Sequence, residues 1–155
     1  MPRSAYEYAL NLLSARPYTA RNLRRKLIQK EFPADEVDAA IERLTDNGLL
    51  DDSRYAAQFA RGKLLGAGAS RRRIRQQLFQ RGIKGDVADS AIDSVIADEE
   101  VDLEAVVEKD ARKKLASLAG LDSFVVRRRL YSHLARRGYD LDEINAVMKR
   151  VMKAE

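Results

Sequence analysis

Arginine is the residue type whose chemistry and spacing carry the most functional information in this sequence. Its side chain ends in a planar guanidinium group that binds carboxylates and phosphates through paired hydrogen bonds and stacks on flat rings. Arginines recur in three dense segments, and two aromatic residues accompany them. The candidate contact residues are Arg21, Arg24, Arg25, Arg71, Arg72, Arg73, Arg75, Phe79, Arg127, Arg128, Tyr131, Arg136 and Arg137. This pattern predicts a surface that binds an acidic protein, a nucleic-acid backbone, or both.

Residue types that support catalysis or bind metals are scarce. His133 is the only histidine and the chain has no cysteine, which excludes disulfides, thiol catalysis and histidine-pair metal sites. The acidic group within residues 98–102 lacks the glycine turn and the alternating spacing of a calcium loop, so we interpret it as a charged junction between repeats. We therefore predict no enzyme activity, no metal and no cofactor.

Composition indicates a helical protein. The 155 residues include 29 basic and 24 acidic side chains, for a net charge of +5. Hydrophobic residues make up 45% of the chain, enough to bury a core, while three prolines and 6% aromatic residues argue against a β-sandwich. No apolar run approaches the roughly 18 residues that span a bilayer, and the first residues lack the apolar stretch of a secretory signal. We expect a cytoplasmic protein without membrane contact, and a monomer, because excess positive charge opposes self-association.

The helices that must position these arginines belong to an internal repeat. A shift of 51 residues places Leu23 and Leu27 on Ile74 and Leu78, and a further shift of 56 places Ile74 on Leu130. Repeats of this length indicate stacked supersecondary units. Each copy has apolar residues three and four apart in three short stretches, which predicts three helices per copy. The predicted fold is all-α, an elongated array of about nine helices with units at 1–50, 51–99 and 100–155.

The second and third helices of each copy carry opposite charges at their starts. Thr19 and Ser70 are predicted to cap the second helices, and Asp35 and Asp86 the third. Acids at the start of a helix complement the helix dipole, so the acidic third helices need no functional explanation. The run Arg71 to Arg73 follows the cap Ser70, where a cation opposes the dipole and costs a few tenths to about 1 kcal/mol. We interpret this unfavourable placement as functional.

Helix phase predicts one outward stripe per repeat. If Leu23 and Leu27 face the core, Arg21 and Arg24 point away from it, because successive residues of a helix turn by about 100°. The predicted outward positions are Arg21, Arg24 and Ile28 in the first copy, Arg72, Arg75 and Phe79 in the second, and Arg128, Tyr131 and Ala135 in the third. A binding face and a merely solvated face both remain open at this point.

Three segments of the chain resemble motifs of the RecX regulatory proteins. They are GLLDDSRYA at 48–56, RRIRQQLFQRGI at 72–83 and LARRGYD at 134–140. The resemblance implies a three-repeat helical regulator of the bacterial recombinase RecA. It also implies binding along the groove of the RecA–DNA filament, which limits filament extension or promotes disassembly and so mainly inhibits RecA. Recombinase ATPase, strand exchange and coprotease activity are then expected to fall.

Two classes of partner remain after this resemblance. An elongated array with one arginine stripe per repeat would contact several filament subunits at once, and linked weak contacts sum to tight binding when their spacings match. The alternative is a stand-alone helical protein that binds single- or double-stranded DNA through phosphate contacts. That alternative predicts strongly salt-dependent binding to DNA without RecA.

Overall fold

Three groups of three α-helices follow one another along the chain. The structure, a computed structural model, describes residues 3–152 apart from the side chain of Ala67. The helices are α1 (Ala5–Ala15), α2 (Ala20–Gln29), α3 (Ala34–Asp46), α4 (Asp52–Gly62), α5 (Arg71–Gln80), α6 (Gly85–Asp98), α7 (Leu103–Ser117), α8 (Ser123–Arg136) and α9 (Leu141–Met152). Residues 3–152 contain no β-strand. The prediction of an all-α repeat protein is confirmed.

The second helices begin at the predicted caps. The Thr19 hydroxyl accepts a hydrogen bond from the Asn22 backbone N–H, and the Ser70 hydroxyl accepts one from the Arg73 N–H. Each bond satisfies one of the amide groups that lack a partner in the first turn of a helix. The first residues of α2 and α5 therefore follow from local sequence.

The predicted caps Asp35 and Asp86 of the first two third helices are wrong. α3 begins at Ala34 and α6 at Gly85, one residue before the aspartates, and neither Pro33 nor Lys84 caps with its side chain. Asp35 and Asp86 thus lie inside the first turn. There their carboxylates still complement the positive end of the helix dipole, which explains the acidic starts without a capping role.

Each group of helices has its own hydrophobic core. The first core contains Leu23, Leu27 and Leu44, the second Ile74, Leu78 and Ile92, and the third Leu130, Leu134 and Val147. All nine side chains are fully buried. Side chains at these three- and four-residue spacings form the inward stripes that the sequence predicted.

A kinked helix end leads from the second group to the third. α4 continues into a π-helical turn, Lys63–Ala67, and the backbone bends at Gly66. Gly68 follows with φ of +80°, a left-handed conformation that glycine adopts without a Cβ penalty. The position that a Cβ would occupy on Gly68 lies 3.4 Å from Cβ of Asp110 in α7. This segment therefore packs directly against the third group.

The arrangement is elongated. Its accessible surface is 9798 Å², whereas a compact monomer of 17.5 kDa exposes about 7,900 Å². Three small cores in series explain the excess, because each repeat buries its apolar side chains mainly within itself. No helix within residues 3–152 combines the length and the apolar character needed to cross a bilayer.

Candidate partner-binding face

α2, α5 and α8, which we call the basic helices, present their predicted outward stripes to solvent. The three large apolar or aromatic members, Ile28, Phe79 and Tyr131, are 48%, 69% and 40% exposed. Arg72 and Arg128 are also exposed. Large apolar side chains with this much exposure, set beside arginines, are typical of surfaces that bind another macromolecule.

Some of the candidate arginines are already paired within their own repeat. Arg24 of α2 contacts Asp38 of α3, and Arg75 of α5 lies 3.1 Å from Asp89 of α6. The second pair is the first one displaced by 51 residues along the chain. Arg71 makes a further contact of 2.5 Å to Asp93. These pairs are 40% or more exposed at every member, so each contributes little to stability.

The remaining candidates differ in how available they are. Arg137 lies 3.3 Å from the buried carboxylate of Asp110, although 36% of its side chain stays exposed. Within residues 3–152, several candidates have no ion-pair partner: Arg21, Arg25, Arg72, Arg73, Arg127, Arg128 and Arg136. The basic helices therefore combine arginines that hold neighbouring helices together with arginines whose charge faces solvent.

The two ends of successive basic helices meet at repeated junctions. The Thr19 hydroxyl donates a 2.8 Å hydrogen bond to the carbonyl of Arg81, and the Ser70 hydroxyl donates a 3.1 Å bond to the carbonyl of Arg137. Both hydroxyls are buried. Each cap residue thus satisfies an amide of its own helix and a free carbonyl at the end of the next basic helix. The positive end of one helix dipole meets the negative end of another, which favours this head-to-tail order.

Two glycines allow these junctions to close. Gly82 and Gly138, which end α5 and α8, have φ of +88° and +91°. A Cβ on Gly138 would lie 2.5 Å from the Ser70 hydroxyl, and a Cβ on Gly82 would lie 2.5 Å from the Arg21 side chain. The left-handed conformation and the close approach both require glycine.

The junctions give the arginines at the start of α5 a structural role. The backbone and Cβ of Arg73 pack against Gly138, just after the C-terminal end of α8. Arg71 is balanced by Asp93. The unfavourable dipole placement, which the sequence alone attributed to function, is thus offset at Arg71 by Asp93. The placement of Arg71 therefore does not by itself indicate a binding site, whereas Arg72 is exposed and has no ion-pair partner among the described residues.

A buried polar cluster was missed at the level of sequence. Asp110 of α7 is 3% exposed, and its carboxylate contacts Nε2 of His133 at 3.0 Å and the hydroxyl of Tyr139 at 3.2 Å. Burial raises the pKa of Tyr139 above its ordinary value, and the adjacent Asp110 charge raises it further. The sequence does contain a signal for this cluster: Asp110 is a charged residue on the same apolar face of its helix as Val107 and Ala111, which predicts a buried carboxylate.

Enclosure of the cluster points to a structural role. Its side chains are largely enclosed, with His133 only 19% and Asp110 only 2% exposed at the side chain. The part of the chain that the structure describes also contains no group of three histidine, cysteine, aspartate or glutamate side chains able to hold a metal ion. The geometry suits a structural tie between α7 and the end of α8.

Three helical units in series, each with an exposed basic helix, define a repeat protein whose surface is suited to binding. The three RecX family models match in order, the first three-helix domain at 5–44, the second at 51–92 and the third at 102–148. The chain belongs to the RecX family of regulatory proteins.

Relatives of known identity agree with this assignment. The regulatory protein RecX of Mycobacterium sp. (strain KMS) is 36% identical over 137 residues, which covers 87% of this chain and 74% of that protein. The RecX of Chlorobium phaeobacteroides (strain BS1) is 29% identical over 152 residues, with 98% and 96% covered. A crystal structure of RecX from Lactobacillus salivarius has the same fold, with a TM-score of 0.78 at 21% identity over 96% of this chain and 95% of that one.

Proposed function

We propose that this protein binds the RecA–DNA nucleoprotein filament in the bacterial cytoplasm and mainly inhibits RecA. Binding would limit filament extension or promote disassembly, and RecA-dependent ATP hydrolysis, strand exchange and coprotease activity would fall. The match to all three RecX domains is the observation that carries this proposal. The protein acts as a monomer and by binding rather than by catalysis.

The recurrence of exposed arginines on successive basic helices supports contact with a repeating partner. Arg72 and Arg128 are exposed members of successive basic helices and have no ion-pair partner within residues 3–152. A filament presents the same surface at regular intervals, so two such positions can engage neighbouring subunits. Linking two weak contacts raises the effective concentration of the second one, which increases the overall affinity for the filament.

The proposed contact residues can now be ranked by availability. Arg21, Arg72 and Arg128 are the strongest candidates among the outward arginines, because they are exposed and make no ion pair among the described residues. Tyr131 is exposed on the same stripe as Arg128. Arg24 and Arg75 would first have to leave Asp38 and Asp89. Exposed pairs of this kind cost only a few tenths to about 1 kcal/mol to break, so both residues stay in the proposed set as secondary contacts.

The DNA-dependent ATPase of RecA tests the function. Wild-type protein should lower the steady-state rate on single-stranded DNA. Inhibition at much less than one molecule per RecA would indicate capping of filament ends, whereas inhibition that requires near-equimolar protein would indicate coverage of the groove. An unchanged ATPase at excess protein would refute the proposal.

A matched pair of variants tests the contact surface. Replacing Arg72 and Arg128 by glutamate should weaken inhibition at least about tenfold, because repulsion replaces attraction at two linked sites. The control replaces Lys109 and Lys113 of α7 by glutamate, which makes the same change in net charge on two exposed lysines outside the basic helices. Equal inhibition by both folded variants would remove the basic helices from the proposed interface.

The same arginines would also suit DNA phosphates, which is the alternative function. Its test is the affinity for single- and double-stranded DNA without RecA at two salt concentrations. Affinity that falls steeply with salt, by roughly one ion-release increment per phosphate contact, would favour direct DNA binding. Weak DNA binding beside strong ATPase inhibition would exclude it.

A further inference from the structure

The third repeat departs from the second at the surface between its last two helices. Their cores correspond closely at a displacement of 56 residues, since buried Ile74 and Ile92 correspond to buried Leu130 and Met148. Residues on the outer surfaces of α8 and α9 can therefore be compared one by one with those of α5 and α6. The comparison shows which charge pairs were kept and which were lost.

Both ion pairs that join α5 to α6 in the second repeat are missing between α8 and α9 in the third. Arg71 and Asp93 correspond to Arg127 and Lys149, so an attractive pair is replaced by two cations. The pair Arg75–Asp89 corresponds to Tyr131 and an asparagine, both uncharged. Within residues 3–152, neither Arg127 nor Lys149 has an ion-pair partner.

A groove lies where these pairs would have been. It encloses about 740 Å³ and is lined by Arg127, Tyr131, Asn145, Met148, Lys149 and Met152. Two cations and two methionine side chains are thus among the residues that line the same groove. Methionine is flexible and polarizable, and it accommodates apolar side chains of different shapes at binding surfaces.

We propose that this groove, which we call the α8–α9 groove, binds an acidic peptide segment of a partner protein. A carboxylate of the segment pairs with Arg127 and Lys149 and so supplies the negative charge that Asp93 provides in the second repeat. A neighbouring bulky apolar side chain enters between Tyr131 and the methionines. The α8–α9 groove binds this segment whether or not the protein regulates RecA.

The second repeat supplies the argument for a carboxylate rather than a phosphate. At the corresponding positions Arg71 and Arg75 are paired with aspartates across the same two helices. The backbone geometry therefore already suits an arginine–carboxylate contact. Nucleic acid binds such surfaces by stacking successive bases on aromatic rings, and the lining residues of this groove include one ring, Tyr131.

The experiment uses the full chain and a fluorescein-labelled peptide in which one leucine is flanked by aspartates and glutamates. Binding is followed by fluorescence anisotropy, and the methyl NMR signals of Met148 and Met152 report where the peptide binds. Wild-type protein should bind the peptide and both methyl signals should shift. Lys149→Asp should weaken binding at least about tenfold, because it recreates the internal pair of the second repeat.

Two further variants keep the test decisive. Lys113→Asp makes the same charge change on the exposed face of α7 and should bind the peptide as the wild type does. Asn145→Asp introduces a carboxylate at the position that corresponds to Asp89 and should also weaken binding. Circular dichroism verifies that each variant keeps its helices.

Several results would overturn the proposal. These are absence of peptide binding to the wild type, equal binding by Lys149→Asp, and an equal loss in Lys113→Asp. Labelled oligothymidylate is tested in parallel. If it shifts the two methionine signals and displaces the peptide, the α8–α9 groove is a nucleic-acid site and not a peptide site.

Discussion

Replacing Ser70 by alanine tests the junction between the second and third repeats. The Ser70 hydroxyl accepts a bond from the Arg73 N–H and donates one to the carbonyl of Arg137. Loss of the helix cap costs about 1 kcal/mol, and loss of a buried hydrogen bond to a carbonyl costs about 1 kcal/mol more. We therefore expect Ser70→Ala to lower the free energy of unfolding by about 2 kcal/mol.

Ser4→Ala is the matched control. Ser4 caps α1 in the same way, by accepting from the Glu7 N–H, but it is exposed and its side chain makes no bond to another repeat in the described residues. This change should cost about 1 kcal/mol or less. Urea denaturation followed by circular dichroism gives both values. Ser70→Ala should also lower the denaturant slope, because repeats that lose their interface unfold less cooperatively.

A Ser70→Ala variant that is no less stable than Ser4→Ala would refute the reasoning. It would mean that the cross-repeat bond to Arg137 contributes nothing to coupling. The head-to-tail order of the basic helices would then be stabilised only by the close packing at Gly82 and Gly138 and by the helix dipoles.

Two further expectations concern the third repeat. Gly138→Ala should lower the melting temperature more than Gly120→Ala, since both glycines have positive φ but only Gly138 would bring a Cβ close to another residue, the Ser70 hydroxyl at 2.5 Å. The pKa of Tyr139 is raised above its unfolded value of 10, so its contribution to stability is fully present below pH 10 and is lost as the pH rises further. The unfolding free energy should fall by about 1.4 kcal/mol per pH unit above pH 10 from this group alone. Tyr139→Phe removes the hydroxyl bonded to Asp110, so this part of the pH dependence should be missing in that variant.

The helices were predictable because their signals are local. The three- and four-residue spacing of Leu23 and Leu27 is determined by one helix, and Thr19 caps the helix that follows it directly. The prediction that Asp35 and Asp86 cap α3 and α6 was wrong because it used local sequence alone. A helix can begin one residue earlier than its best cap when neighbouring packing favours it, and sequence alone does not show that packing.

Which arginines form ion pairs depends on contacts between helices and was therefore not predictable from the sequence. The contact between Arg24 and Asp38 requires α2 and α3 to cross at a particular angle, and the second bond of Ser70 requires the third repeat to lie against the second. Helix phase placed these arginines outward correctly but could not show which were paired. Comparison of Asp93 with Lys149 was possible from sequence, yet its meaning required the ion pair seen in the structure.

Binding to an immobilised RecA filament tests the central claim most directly. RecA is assembled on single-stranded DNA with a slowly hydrolysed nucleotide, and the wild type and the Arg72/Arg128 double glutamate variant are passed over the filament and over bare DNA. We predict that the wild type binds the filament at least about tenfold more tightly than bare DNA, a difference of about 1.4 kcal/mol, and that the variant loses this preference. Equal binding of the wild type to filament and bare DNA would contradict the account.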